Sequence, residues 1–477
     1  MTNEWLQSLN NFYCIFMLLI YPLIMRSAYY DISRAKLVAF YAISFIYIFS
    51  YLGIFIFMKI KKNTLPISIL TKPEKVWLGI GTVSILISFL LNGNYKSTLF
   101  GVYDYGSGAL FLLTIIVTVF FLSLSGVNEL IFCRCSAIAL IITAGTTILQ
   151  FLNFSPTLEG TGGFFGTIGN RDLVGFYFVI MLPFCTNLIS KKRWSILGSL
   201  GIFLGTIGIF VSNTDIAIIG FCLESTIIVA MLLKHADKKF DAYIYTLIVG
   251  ISLLSTFILR TIFTNTYEIG DIEILFSSPV ISIPIIVLSV IGLWLHNNTM
   301  FNKTIWVLAI IECILISLYP VYIITFTILA SPDNESLLRN GLYFDNHWGS
   351  GRGYIWRCNV YLFTHGGFVK QFFGHGAVSF YNDYMANQEL FHEIYEPMYV
   401  GENLTNSHNI FLHMLYEYGI LGVVSMLGIA INALKRMVHS EPLFYKMKFV
   451  ALIVAMVTGA LIMSYNITMA FIPMLLI

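Results

Sequence analysis

Long apolar runs alternate with short polar connections along almost the whole chain. Apolar segments long enough to span a bilayer, or nearly so, fall at 11–25, 37–58, 76–91, 107–124, 130–149, 173–189, 194–211, 216–233, 241–259, 280–296, 304–329, 419–433 and 447–464. About 20 apolar residues in a helix cross the hydrocarbon layer. A spanning segment must satisfy its own backbone polar groups, which selects helices. The pattern therefore predicts an all-α polytopic membrane protein with about 13 transmembrane helices. A final apolar stretch, 467–477, is too short to cross alone, and Pro473 would bend a helix there, so it reads either as a half-span or as the start of a segment that continues beyond 477. The opening MTNEWLQSLNN carries no Lys or Arg, so the first run reads as a retained helix rather than a cleaved signal peptide.

Between 331 and 409 the rhythm breaks into one long polar and aromatic loop. It holds five of the nine histidines, His347, His365, His375, His392 and His408. Its aromatic content, with Trp348, Trp356, Phe372, Phe373 and Phe380, argues for a folded segment. The chain thus divides into spans 1–330, an extracytoplasmic loop 331–409 and C-terminal spans 410–477.

Composition explains why lipid must be the solvent. Of 477 residues, 57% are hydrophobic and 11% charged, against about 25% charged in an ordinary soluble domain. A net charge of +2 gives no footprint for nucleic acid. Lys and Arg fix the orientation. With the N-terminus inside, the inside connections hold sixteen of them and the outside connections ten, with Arg134 within a span. The weak point is the first outside connection, with Arg26, Arg34 and Lys36. Six of the seven cysteines lie in apolar stretches and only Cys358 in the long loop, which is not a disulfide framework. No His-x-x-x-His or Cys-x-x-Cys pair occurs, so no metal or other cofactor is expected. Arg134, Glu224 and Glu312 are the ionisable groups inside spans and candidates by default. They form no run of charges of the kind an ion pathway uses.

Four polar connections on the outer side can carry chemistry. Gly166-Thr167-Ile168-Gly169-Asn170-Arg171-Asp172 precedes a span. Its glycines let backbone N–H groups approach a ligand, the next helix offers its N-terminus to an anion, and Arg171 adds a planar fork. The alternative is a short polar loop with a surface Arg–Asp pair. Gly351-Arg352-Gly353-Tyr354-Ile355-Trp356-Arg357 sets Arg352 and Trp356 on one helical face, where the segment could lie on the membrane and its arginines reach a headgroup, or simply snorkel. Asn406-Ser407-His408-Asn409 stands where the loop turns into an apolar helix. His408 there can act as a general base, or merely adjoin a cap made by Ser407 or Asn406. In Ser212-Asn213-Thr214-Asp215, Asp215 can meet Arg171 or a sugar hydroxyl, or cap the next helix; the last is preferred.

Taken in order, these segments resemble the O-antigen ligase and O-antigen polymerase family of bacterial membrane glycosyltransferases. Gly-Thr-Ile-Gly-Asn-Arg-Asp (166–172) matches its Gly-Asn loop, and Arg352 with Trp356 its Arg-x-x-x-Trp element. Phe373-Gly374-His375-Gly376 with Phe380 matches its Gly-x-Gly-x-x-x-Phe turn. Ser407-His408-Asn409-x-x-Leu412 with Glu417-Tyr418-Gly419 matches the His-Asn element that ends its large loop, the most specific of the set. The resemblance covers roughly 75–435. It departs at Thr214-Asp215, where many members carry Ser-Arg, and at Asn170-Arg171-Asp172, where many carry Asn-Pro-Asn.

The resemblance implies a metal-independent, inverting glycosyltransferase of the bacterial cytoplasmic membrane, with its catalytic loop outside the cell. The donor would be a glycan on undecaprenyl pyrophosphate. The acceptor would be a saccharide that is lipid-linked, on a lipid A core or on protein. Membrane lipids surround it, and no nucleic acid takes part. His408 would serve as base, with Arg171 and Arg352 stabilising the leaving pyrophosphate and Arg357 in reserve. Asn170, Asp172, Asn409 and Asp215 complete the substrate-binding set. A transporter or flippase for lipid-linked saccharides is the alternative, and a scaffold protein ranks last.

Overall fold

The computed structural model describes residues 2–26, 32–62, 68–101, 108–154, 164–263, 270–329, 342–395, 398, 404–462 and 469–476. Among these residues all regular structure is helical. In chain order the helices are α1 (Thr2–Ile15), α2 (Ile32–Ile60), α3 (Lys72–Asn92), α4 (Tyr95–Phe100), α5 (Ala109–Ser123), α6 (Glu129–Phe151), α7 (Arg171–Ile189), α8 (Ser195–Val211), α9 (Asp215–Lys234) and α10 (Lys239–Ile262). There follow α11 (Asp271–Phe276), α12 (Pro279–Leu295), α13 (Thr299–Ser317), α14 (Tyr319–Leu329), α15 (Trp348–His365), α16 (Phe368–Phe373), α17 (Ser379–Ala386), α18 (Gln388–Ile394), α19 (Ile410–Val438) and α20 (Leu443–Ile462).

Among the described residues eleven stretches are long and apolar enough to cross a membrane. Two shorter apolar helices, α5 and α8, fall at the remaining two expected spans. The chain is an all-α polytopic membrane protein. Boundaries moved where local chemistry intervenes. The segment expected at 304–329 is two helices, which meet at Leu318 just before Pro320. The segment expected from 419 is a helix from Ile410. The end of the last expected span, 463–464, lies outside the described residues. The apolar tail folds back into the bundle as a short 3-10 helix, Ile472–Leu476. Phe471 meets the Tyr177 ring edge-on at 5.6 Å, and the Leu476 carbonyl accepts from Arg436.

Helix α7 is the central pillar, with 94% of its apolar window buried inside the bundle. Helix α8 packs closely against it because Gly198, Gly201 and Gly208 leave no room for a Cβ against Cys185 and Phe178. Gly205 does the same toward Leu140 of α6. This is the small-residue packing by which helices associate in lipid. Lys36, the anomaly of the charge count, is fully buried. Its ammonium donates to the carbonyls of Tyr21, Pro22 and Ile24 at 2.8–3.1 Å, where Pro22 and a 3-10 turn end the first span. It is a structural cation, so it does not count against the orientation. Arg134 is also structural, stacked 3.9 Å over the Trp194 ring.

The loop helices dock on the bundle at a break in α19. Gly419 is left-handed in φ (φ 69) and interrupts the helix. The carbonyls of the preceding turn are then taken up from outside the helix. Tyr416 accepts from the His375 N–H at 3.0 Å and Glu417 from the Gly376 N–H at 2.8 Å. Tyr418 accepts from Ser84 Oγ of α3 at 2.6 Å. Gly374 (φ 92) lies so close to Glu417 and Tyr418 that a Cβ would strike their backbone. Gly419 is equally tight against the backbone of Phe372 and Gly374. Replacing either glycine by alanine is expected to lower stability by about 1–3 kcal/mol. Thermal unfolding of the detergent-solubilised variants, followed by tryptophan fluorescence, reads the loss, and an unchanged midpoint would contradict this docking geometry.

Candidate functional site

The N-terminus of α7 is fixed before its polar residues come into play. Gly166 donates its N–H to Gln150 Oε1 at 2.9 Å, and Thr167 Oγ1 donates to the Pro22 carbonyl at 2.9 Å. The Gly166–Gly169 turn is thus spent on α6 and the end of the first span, not on open N–H groups as the sequence suggested. Asn170 is the N-cap of α7, its Oδ1 accepting from Asp172 and Leu173 at 2.9 and 3.1 Å. Asn409 caps α19 in the same way, accepting from Phe411 and Leu412 at 2.9 and 3.1 Å. These two asparagines, expected to bind substrate, commit their side-chain oxygens to capping. The cap of α19 is therefore Asn409, and neither Ser407 nor Asn406. Asn406 instead accepts from the His408 N–H at 2.9 Å and holds His408 in a left-handed conformation (φ 47).

Helix α15 joins the two caps. At its start, left-handed Gly349, Ser350 and Gly351 turn the chain so that the Gly349 carbonyl accepts from Arg352 at 3.0 Å. The other end of the Arg352 fork reaches Asp172 Oδ2 at 3.2 Å and so ties α15 to the N-terminus of α7. Seven residues on, Asn359 donates to Ser407 Oγ at 2.6 Å, beside His408. Seven residues of α-helix rise about 10 Å, so α15 sets the spacing between the Arg352 end and the His408 end. One face of the segment is packed inside the protein. Tyr354, Ile355, Cys358 and Leu362 pack with Phe380, Tyr384, Phe391 and Tyr416 in a core of its own.

Arg171 projects outward, its side chain 58% exposed, with Asp172 Oδ1 at 4.0 Å from its Nε. Asp215 opens α9, where Thr214 is the N-cap and makes no side-chain capping bond. Asp215 feels the charges of Arg171, Asp172 and Arg352 and stands in the first turn of α9; the cap position that the sequence preferred for it belongs to Thr214. Glu273 joins Asp215, since both carboxylates converge on Gly270. Arg260 feels Glu273 and is held by Ser277 Oγ at 2.9 Å and the Phe210 carbonyl at 2.8 Å. Arg357 is not part of this cluster. Its fork goes to Asn346 Oδ1 at 2.9 Å, and the guanidinium sits 5.6 Å over the Phe344 ring.

A buried polar chain runs under His408. Ser407 Oγ stands 3.4 Å from His413 Nδ1, and His413 Nε2 stands 3.5 Å from Glu417 Oε2. Glu417 Oε1 in turn accepts from the Val378 N–H at 2.7 Å. All three side chains are essentially inaccessible, whereas His408 is half-buried. Sequence reasoning missed Asn359, His413, Glu273 and Arg260. His413 and Glu417 were findable as a polar i, i+4 pair in an apolar helix, had that helix been started at Ile410. His375, the other loop histidine in a resembling motif, is structural: its ring stacks on Tyr416 at 4.1 Å, and burial pushes its imidazole below the usual range.

Residues 200–427 match the family model described as O-antigen ligase. This stretch, a little under half of the chain, is similar to the O-antigen ligase family. The match takes in Asp215, Arg352, Arg357, His408 and Asn409, and stops short of Asn170, Arg171 and Asp172. No curated protein matches the chain significantly. The likeness supports a multi-pass membrane glycosyltransferase of the O-antigen ligase and polymerase type, a family whose partners are in general a lipid-linked glycan and an acceptor. The Arg352–Asp172 bond, together with Thr214 Oγ1 donating to the Arg171 carbonyl at 3.3 Å, connects the matched region to the Asn170–Asp172 turn. A double-mutant cycle with Arg352→Ala and Asp172→Ala, read by thermal unfolding, is expected to give a coupling of about 1 kcal/mol. Additive effects would mean the pair contributes nothing to holding α15 on α7.

Proposed function

We propose that the protein transfers or polymerises glycan from an undecaprenyl-pyrophosphate donor onto an acceptor sugar at the outer face of the bacterial cytoplasmic membrane. The observation that carries this reading is the double tie of α15, to Asp172 through Arg352 and to Ser407 through Asn359. It sets two guanidinium groups at one end of a short helix and a histidine beside the other. The sixteen-to-ten distribution of Lys and Arg supports the outer location.

In the proposed reaction an acceptor hydroxyl attacks the anomeric carbon of the donor. The new C–O bond forms as the bond to pyrophosphate breaks, and its electron pair leaves with the pyrophosphate. His408 takes the hydroxyl proton. Arg171, the exposed cation, and Arg352, held at its Nη1 and Nη2, stabilise the leaving group, helped by the positive N-terminal ends of α7 and α9. Asp172 orients Arg352 and stands 4.0 Å from the Arg171 Nε, and Asp215 adds negative potential nearby. A single displacement inverts the anomeric centre, and no metal is invoked. An apolar cavity of about 260 Å³ between α3, α5, α19 and α20, lined by Ile85, Phe111, Met414 and Leu452, offers room for part of the isoprenoid chain.

His408→Ala is expected to abolish product by at least about a hundredfold while the protein still inserts. The lipid-linked glycan profile of cells carrying that variant is the measurement. Single repeat units stranded on the carrier would identify a polymerase, and full-length chains stranded there a ligase. A wild-type profile would remove His408 from the reaction. Flipping of the lipid-linked saccharide by purified protein in liposomes, with no glycosidic bond formed, would replace this reading with transport.

A further inference from the structure

We propose that the cavity on the flank of α15 is a saccharide subsite, which holds a pyranose ring of the glycan substrates beside His408. The inference rests on the glycosyltransferase reading above and names where the sugar itself is gripped. The cavity measures about 490 Å³ and is lined by Phe344, Trp356, Arg357, Tyr361, Tyr395 and Leu412, with Val360 and Thr364.

Its α15 residues, 356, 357, 360, 361 and 364, fall at the spacing of one helical face. The rings on that face are held in place by their neighbours. Tyr361 stacks on His365 at 4.0 Å and meets Phe391 edge-on at 5.7 Å. Trp356 lies 5.2 Å from Trp348 and 6.0 Å from Phe344. Arg357 is anchored to Asn346 at 2.9 Å. A wall ordered in this way loses little entropy when a ligand arrives.

The chemistry of the wall selects the occupant. A pyranose presents an apolar face of C–H groups edged by hydroxyls. Aromatic faces take the first, and a guanidinium with a Thr364 hydroxyl takes the second. An isoprenoid chain would bury against Arg357 and Thr364 without bonding to either. It has the separate apolar cavity among α3, α5, α19 and α20. Position agrees as well. Leu412 closes the wall, and its N–H donates to Asn409 at 3.1 Å, so the cavity is built on the cap that adjoins His408. Arg352 lies one turn before Trp356 on the same helix, toward the N-terminus of α7.

The ring can come from the donor glycan or from the acceptor. Both are tested with full-length protein in nanodiscs, carrying His408→Ala to stop turnover. The probe is lipid-free oligosaccharide prepared by acid depolymerisation of the producing cell's surface polysaccharide. Saturable binding is expected, weakened about tenfold or more by Trp356→Ala or Tyr361→Ala and by less than about threefold by Trp356→Phe, which keeps a ring. In the His408 enzyme, a raised KM for the lipid-linked donor alone assigns the ring to the donor, and a raised KM for the acceptor alone assigns it to the acceptor. Equal binding by the alanine variants overturns the subsite. So does absence of binding, even where cells with wild-type protein still make polymer, and the glycosyltransferase reading then survives. Ring-dependent binding together with normal polymer in His408→Ala cells does the reverse: it keeps the subsite and overturns the catalytic role of His408.

Discussion

The geometry of the loop depends on the broken turn of α19 at Gly419. A helix break inside a bundle frees carbonyls that would each cost about 1–3 kcal/mol if left unpaired. Here the N–H groups of His375 and Gly376 and the hydroxyl of Ser84 take them. Asn92 at the end of α3 closes the same joint by donating to the His375 carbonyl at 2.8 Å. The loop is therefore stitched to two spans by backbone bonds and does not rest on them by apolar contact alone. The same turn of α19 carries Glu417 and, one turn earlier, His413, so the stitch and the buried polar chain under His408 share a support. A shift of the 374–376 segment would move the floor of the candidate site.

That joint also explains why the half-exposed polar residues can be held accurately at the edge of a lipid-facing bundle. Cations at helix N-termini are ordinarily unfavourable neighbours. Arg171 begins α7, and Arg352 is drawn to the same N-terminus, so carboxylates have to offset them. Asp172, Asp215 and Glu273 do so from three different helices. The result is a mixed cluster in which three carboxylates stand among Arg171, Arg352 and Arg260. Arg171 remains the exposed member. Such an arrangement suits a leaving group that brings its own negative charge and departs with it.

Much of this was legible in the sequence. Each expected span has a helix, because the hydropathy period and the charges between spans survive in any packing. Arg171, Arg352 and His408 were singled out from motif order, and the fold brings Arg352 to Asp172, the neighbour of Arg171. What the sequence hid was the use to which adjacent polar atoms are put. Asn170 and Asn409 look like ligand-binding amides but spend their oxygens as caps, since a helix end fixed inside the bundle must satisfy its first N–H groups. Arg357 is separated from Arg352 by only five residues, yet five residues of helix turn it toward Asn346 and Phe344. Glu273 and Arg260 could not be recognised because their neighbours come from distant helices, and nothing local marks that convergence. Lys36 misled the charge count because a lysine buried against three carbonyls reads, in one dimension, like any loop lysine.

The two cavities separate the tasks that a lipid-linked glycan imposes on one protein. An apolar chain and a hydroxylated ring cannot share a wall, because the groups that bond the second leave unpaired polar atoms against the first. The fold meets this with a cavity of almost wholly apolar lining among the spans and an aromatic, arginine-bearing one in the loop, with α19 contributing to both through Phe411 and Leu412. These are adjacent residues of a single helical turn, directed by the Asn409 cap to the two sides of the helix start. The boundary between lipid chemistry and sugar chemistry thus falls at the first turn of α19, immediately after His408. In the proposed reaction, that places His408 next to the bond between the carrier and its sugar.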